Sequence, residues 1–142
     1  GFRINLSFVR VADDPPGAGA LGGFATGLRF ADGAPKATLA AYRLPVYVPI
    51  TTGKPGQALE VWGCVRPARD ARTRTRTLQR VRIEFSPRQG GSFATVKTAS
   101  ITNPHGYFDV LQAFPSSGDV RLTWTYPNGA TIHSRTISIT IR

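Results

Sequence analysis

Paired carboxyl groups would be the simplest route to acid–base hydrolysis. The chain has eight acids to build them from: Asp13, Asp14, Asp32, Glu60, Asp70, Glu84, Asp109 and Asp119. Such a pair must stand about 5–9.5 Å apart across the bond to be cut. Asp13 and Asp14 are the only neighbours, and adjacent residues on a strand point to opposite faces. Followed by Pro15-Pro16, they read as the end of a strand and a turn. No Gly-x-Ser-x-Gly nucleophile elbow occurs, and Gly91-Ser92-Phe93 reads as a strand entry. The lone cysteine, Cys64, excludes an internal disulfide and every Cys-x-x-Cys zinc motif. It lies in the apolar run Val61-Trp62-Gly63-Cys64-Val65 and reads as a small buried hydrophobe. His105, in a turn, and His133, on the last hairpin, have no partner at metal-binding spacing. No catalytic residue, metal site or cofactor is expected of this chain alone.

Binding chemistry is better represented. If Leu59, Val61 and Val65 face a core, Trp62 points the other way with Glu60 and Cys64. An outward indole is either a ligand platform or a dock for another segment of the chain. As a platform, Trp62, with Tyr107 and Tyr126, is a candidate carbohydrate contact. As a dock it would receive residues 1–50, the preferred reading because large exposed apolar patches are uncommon without a partner. Trp124, in phase with Val120 and Leu122, reads as core.

The other signal is charge. Eighteen Lys and Arg oppose eight acids for a net charge of +10, and only Lys36, Lys54 and Lys97 are not arginine. Arg66, Arg69, Arg72, Arg74, Arg76, Arg80, Arg82 and Arg88 cluster together. Arg72, Arg74 and Arg76 alternate with threonines, so an extended chain would line them up at about 6.6–6.8 Å spacing. Arg72, Arg74, Arg76, Arg80 and Arg82 are therefore candidate contacts for a polyanion, because guanidinium binds oxyanions bidentately. The competing reading is a solvated loop, favoured because charge runs are often merely exposed. The run from Arg66 to Gln79 holds no aromatic residue on which a base would stack.

The elements that must position these groups are strands. Fifteen Gly and eleven Pro, spread along 142 residues, separate short runs rich in Val, Ile, Thr, Phe and Tyr, the texture of an all-β sandwich. A (β/α)₈ barrel needs about 250 residues, and no apolar run approaches the roughly 18 of a membrane helix. Strands are expected near residues 59–65, 79–85, 92–102, 106–114, 119–126 and 130–142. Val81, Ile83 and Phe85 should face inward, with Arg80, Arg82 and Glu84 outward. The phase of Ile137, Ile139 and Ile141 does not match Ile132, which predicts a bulge or bend near Ser134. Before residue 50 the pattern changes. Phe2, Ile4, Leu6 and Phe8 alternate with polar residues, 24–30 reads as a second strand, and a helix is expected over 35–44. The boundary falls near Thr51-Thr52-Gly53-Lys54-Pro55-Gly56, giving an N-terminal extension over 1–50 and a sandwich over 57–142.

Two stretches resemble known families. Val81-Arg82-Ile83-Glu84-Phe85, Gly91-Ser92-Phe93-Ala94-Thr95-Val96, Asn103-Pro104-His105-Gly106-Tyr107-Phe108, Ser117-Gly118-Asp119-Val120-Arg121 and Ser134-Arg135-Thr136-Ile137-Ser138-Ile139 resemble Ig-like accessory modules of secreted bacterial proteins. Thr26-Gly27-Leu28-Arg29-Phe30-Ala31-Asp32-Gly33-Ala34-Pro35-Lys36, after Asp13-Asp14-Pro15-Pro16, resembles the closing segment of a cellulase-like (β/α)₈ glycoside hydrolase. The resemblance implies an Ig-like or fibronectin-like antiparallel β-sandwich with a barrel-tail extension carrying one short helix. It further implies a secreted, non-catalytic module that braces the catalytic domain of a parent glycosidase and contacts polysaccharide. The alternative is a basic module binding nucleic acid or another polyanion through Arg66 to Arg88. A stand-alone hydrolase ranks below both, and no membrane partner is expected.

Overall fold

The computed structural model describes residues 27–88 and 91–142. The strand expected over residues 2–8 and the Asp13-Asp14 turn lie outside the described residues, as does the first part of the 24–30 strand. The chain divides into two compact units between Leu39 and Ala40.

In the first unit, residues 27–36 form a tight reversal. Arg29 bridges to Pro35, and the Phe30 and Lys36 N–H groups donate to the Ala34 and Leu28 carbonyls at 2.9 and 3.1 Å. Asp32 Oδ1 accepts from the Ala34 N–H, and Gly33 takes the positive φ of 84° that the turn requires. The motif that resembles a barrel's closing segment is thus a self-contained Asp-Gly turn. Helix α1 (Ala37–Arg43) follows, and Pro45 comes two residues after its end.

The second unit is a β-sandwich. Strand β1 (Val46–Tyr47) pairs with β3 (Ala58–Cys64), and β3 pairs with β6 (Tyr107–Ala113), all antiparallel. The larger sheet runs β2 (Thr52–Gly53), β9 (Ile137–Ile141), β7 (Gly118–Thr125), β4 (Gln79–Pro87), β5 (Ala94–Ile101). Strand β8 (Thr131–His133) also pairs with β7, and among the described residues only the short β2–β9 contact is parallel. The interruption at residues 134–136, between β8 and β9, is the break that the isoleucine phase predicts. The inward faces meet as alternation requires: Leu59 and Val61 on one side, Val81, Ile83, Val120, Leu122 and Ile139 on the other, each at most 2% exposed. Trp124 is core, as expected, and its indole N–H donates to Gln79 Oε1 at 3.1 Å within the buried interior. Leu44, Val46 and Val48 join the same core, so β1 lies on the sandwich side of the boundary expected near residue 50.

One element departs from expectation. The arginine–threonine run is not extended: residues Ala68–Thr75 form helix α2. Ala68 and Ala71, three apart, bury one face, while Asp70 and Arg74, four apart, pair across a turn at 2.9 Å. Thr73 and Thr75 donate their hydroxyls to the carbonyls of Arg69 and Ala71, both at 2.9 Å. Arg76 closes the helix in the left-handed region at φ 54°, its N–H donating to the Arg72 carbonyl. Among the described residues no helix is long and apolar enough to cross a membrane.

At Gly63 of β3 there is no room for a side chain between the two sheets. A methyl group there would meet the Phe108 ring and would lie 2.7 Å from Leu122 Cδ1. Gly63→Ala is therefore expected to lower stability by about 1–3 kcal/mol, the usual cost of overpacking. Urea unfolding should show a lower midpoint at unchanged slope. An unaltered midpoint would mean that the sheets are not locked at this point.

Candidate functional site

The outer face of β5–β4–β7–β8 carries the most ordered array of polar side chains. Side chains on one face recur every second residue, and cross-strand partners stand side by side. The register therefore places Thr98, Arg82, Thr123 and His133 in one row across four strands. The adjacent row, about 6.6–6.8 Å away, holds Ser100 beside Arg80, with Thr125 beside Thr131. Thr125 falls next to Arg80 because it follows the Val81–Trp124 pair by one step. The rows floor an open groove of ≈ 930 Å³ whose walls are the end of α2, with Thr75 and Thr77, and the Tyr126-Pro127 turn. Both arginines are exposed, and Arg80 has no carboxylate partner among the described residues.

Beside the groove lies a buried ion pair that the alternation hides. Glu84 is in outward phase yet only 7% exposed. Arg121 Nε donates to its Oε2 at 2.8 Å, and Arg82 Nε stands 3.5 Å from Oε1. The Arg121 guanidinium also lies over the Phe93 ring, 3.9 Å from its centroid. Burial alone would raise the Glu84 pKa. The hydrogen bonds from Thr123 and Arg121 and the charges of Arg121 and Arg82 outweigh it, and the carboxyl is held below its ordinary value. Thr123 also bonds His133 Nδ1 at 2.9 Å. The His133 pKa is pushed down by desolvation and then by Arg121 and Arg82, against the raising effect of Glu84.

The structure separates the other sequence candidates. Arg72 and Arg74 are two helical residues apart, about 200° around α2, so no row of guanidinium groups forms. Arg74 is committed to Asp70, whose carboxyl it holds below its usual range. Of the five candidate arginines, Arg80 and Arg82 share the outer face of β4, while Arg72 and Arg76 stand one turn apart at the end of α2. Tyr126 is held on three sides: edge-on to Trp124, with its hydroxyl 3.1 Å from Asp70 Oδ2 and Arg43 over its ring. Trp62 and Tyr107 do come together on the outer face of β1–β3–β6, ring centroids 5.7 Å apart. Trp62 is half-buried, with Tyr47 of β1 directly beside it in the ladder. That much of the 1–50 segment lies next to Trp62, while residues 1–26 lie outside the described residues. Cys64 is fully buried, and burial pushes its thiol pKa up against the lowering effect of Arg66. Among the described residues no group of three His, Cys, Asp or Glu side chains is placed to hold a metal. Helix α2 and the Glu84–Arg121 pair are the features that sequence reasoning misses. The signals for α2 are Pro67 at its start and the Asp70/Arg74 spacing.

Comparison with known proteins bears on the fold. No family model matches the chain, and no curated protein does. Among solved structures, it is similar to a superoxide reductase (neelaredoxin) from Ignicoccus hospitalis, with TM-score 0.56 and 11% identity, over 75% of this chain and 88% of that one. A point variant of that protein matches with TM-score 0.57 and 10% identity, over 78% and 91%. A Thermotoga maritima protein provisionally named for the same activity gives 0.52 and 10%, over 70% and 85%. At such identities the likeness establishes the fold, a mainly β, neelaredoxin-like sandwich with short helices. It overturns the glycosidase reading. Most of this chain superposes on nearly the whole of a small β-domain, so it is not a barrel tail with an accessory module appended. The expected parent glycosidase and the carbohydrate-binding role fall with that reading. The nucleic-acid alternative is not supported either, since the extended arginine–threonine track it relied on is helix α2.

The Glu84 pair makes acid stability testable. A carboxyl held below its ordinary range stabilises the fold above that range, and the contribution is lost as pH falls through the depressed value. Wild-type stability should therefore fall on acidification below about pH 4.5 more steeply than that of Glu84→Gln. At pH 7 the variant should be weaker by roughly 1–3 kcal/mol, less than for a fully buried pair because Arg121 keeps some contact with water. Parallel acid limbs in urea titrations at several pH values would contradict this account.

Proposed function

We propose that the chain is a binding module for a small tetrahedral oxyanion, a phosphate or sulfate monoester, held in the groove over β5–β4–β7. The two arginine-centred rows carry this reading. Each sets a guanidinium between hydroxyl side chains, Thr98–Arg82–Thr123 and Ser100–Arg80–Thr125. Guanidinium supplies paired donors to two oxyanion oxygens, and the exposed Thr98, Ser100 and Thr125 hydroxyls supply donors to the others, while the buried Thr123 hydroxyl stays with Glu84 and His133. The arginine stems are long enough for both heads to converge on one anion.

The activity named for the structural neighbours is not carried over. Reducing superoxide to hydrogen peroxide takes one electron and two protons, and the electron must come from a redox centre. The whole chain holds one cysteine and two histidines. Cys64 is buried on β3 with its thiol pKa raised, His105 lies in the turn before β6, and His133 lies on β8, bonded to Thr123. This donor set does not fit a redox metal.

Titration with inorganic phosphate, and separately with sulfate, at ionic strength held constant with NaCl, tests the proposal. Saturable amide NMR shifts are expected at Thr98, Ser100 and Thr123, and abolished in an Arg80→Gln/Arg82→Gln double variant. A bound dianion should also raise the His133 pKa, because it offsets the positive field that lowers it. Linear shifts, or the same shifts with chloride alone, would overturn the proposal.

A further inference from the structure

The opposite outer face, on β1–β3–β6, has the reverse chemistry. Tyr47, Trp62 and Asp109 stand in one cross-strand row, Glu60 pairs with Leu111 in the next, and Cys64 pairs with Tyr107 on the other side. Tyr47 is 53% exposed, Tyr107 42% and Leu111 63%. Trp62 leans diagonally onto Tyr107, so the face presents a continuous aromatic surface.

Its two carboxylates are the anomaly. Elsewhere among the described residues each acid has a partner. Asp32 accepts from the Ala34 N–H, Asp70 holds Arg74 and Tyr126, Glu84 holds Arg121, and Asp119 accepts from Ser138 at 2.6 Å. Glu60 and Asp109 have none among the described residues, although the chain carries eighteen cations. They are diagonal neighbours, and like charges so placed disfavour the bare face. Lys97 bonds the Leu111 carbonyl at 2.8 Å, at the β6 edge.

We infer that this face docks a cationic segment of a partner protein, with an arginine or lysine head over Trp62 and Tyr107 and with Glu60 and Asp109 as its counter-ions. Aromatic faces attract cations, and two carboxylates beside them supply the charge that a neutral ligand would leave uncompensated. The site shares no residue with the oxyanion groove, so each stands or falls alone.

The probe is a tetra-arginine peptide, with tetra-glutamine as the neutral control. The protein has two tryptophans, hence two indole N–H signals, and Trp62→Phe assigns the one that matters. Saturable movement of the Trp62 indole and the Tyr107 amide is expected with tetra-arginine only, and it should weaken as salt rises. In Glu60→Gln/Asp109→Asn, affinity should drop roughly three- to tenfold, the scale of two exposed ion pairs. Trp62→Ala should abolish the response, while phosphate titration of the groove is unaffected. Three results would overturn the inference: equal binding by the neutralised variant, movement of Trp62 by cellohexaose but not by tetra-arginine, or concentration-dependent shifts without peptide, which would place a second copy on this face.

Discussion

The contact between Gly63, Phe108 and Leu122 governs how the rest of the sandwich is arranged. Gly63 gives up its side chain so that the Phe108 ring can cover the backbone of β3 and touch Leu122 on the facing sheet. A sheet pair is normally held about 10 Å apart by side chains from both faces. Where one strand contributes none, the facing residues must be large, and here they are Phe108 and Leu122. The same logic recurs at Gly106, whose positive φ of 87° brings the turn before β6 against Ala68 of α2. Small residues therefore decide where β3, β6 and α2 can sit. The polar rows outside the sheets inherit their register from that packing.

Because the core fixes the register, the outer faces are free to differ in charge. On the larger sheet, β4 brings two arginines between hydroxyl-bearing neighbours. On the smaller one, β3 and β6 bring two carboxylates among aromatic rings. The sandwich interior separates these faces, so Glu60 and Asp109 cannot be neutralised by Arg80 and Arg82. That separation explains unpaired acids in a chain with net charge +10. It also distinguishes them from Glu84, which lies on the arginine side and is absorbed into a buried pair.

Strands with one apolar face were legible in the sequence because period-two alternation follows directly from strand geometry. Val81, Ile83 and Phe85 on β4 and Val120, Leu122 and Trp124 on β7 are inward as the pattern requires. The phase slip between Ile132 and Ile137 marks the break between β8 and β9. Alternation misleads where its period comes from polar residues. Arg72-Thr73-Arg74-Thr75 has the rhythm of a strand but no apolar face to bury. The buried alanines and the Asp70–Arg74 pair therefore decide for helix. Phase also turns Glu84 toward solvent, because it reports direction and not what lies above. The cover over Glu84 comes from Arg121 of β7, itself stacked on the Phe93 ring.

The 27–36 segment shows why a local motif and a fold can point to different proteins. Asp-Gly followed by Ala-Pro-Lys satisfies a turn and opens a helix, and both needs are met within ten residues by hydrogen bonds internal to the segment. Nothing in that chemistry depends on a barrel, so any fold needing a reversal before a helix can use it. The sandwich, by contrast, is specified by contacts between strands far apart in sequence, such as β3 with β6 and β4 with β7. The likeness to superoxide reductases is one of backbone fold. Binding depends on the outward rows, which fold similarity at 10–11% identity leaves unconstrained. The residues proposed to choose a ligand, Arg80 and Arg82 on one face and Trp62, Glu60 and Asp109 on the other, all lie on the strand faces opposite the core.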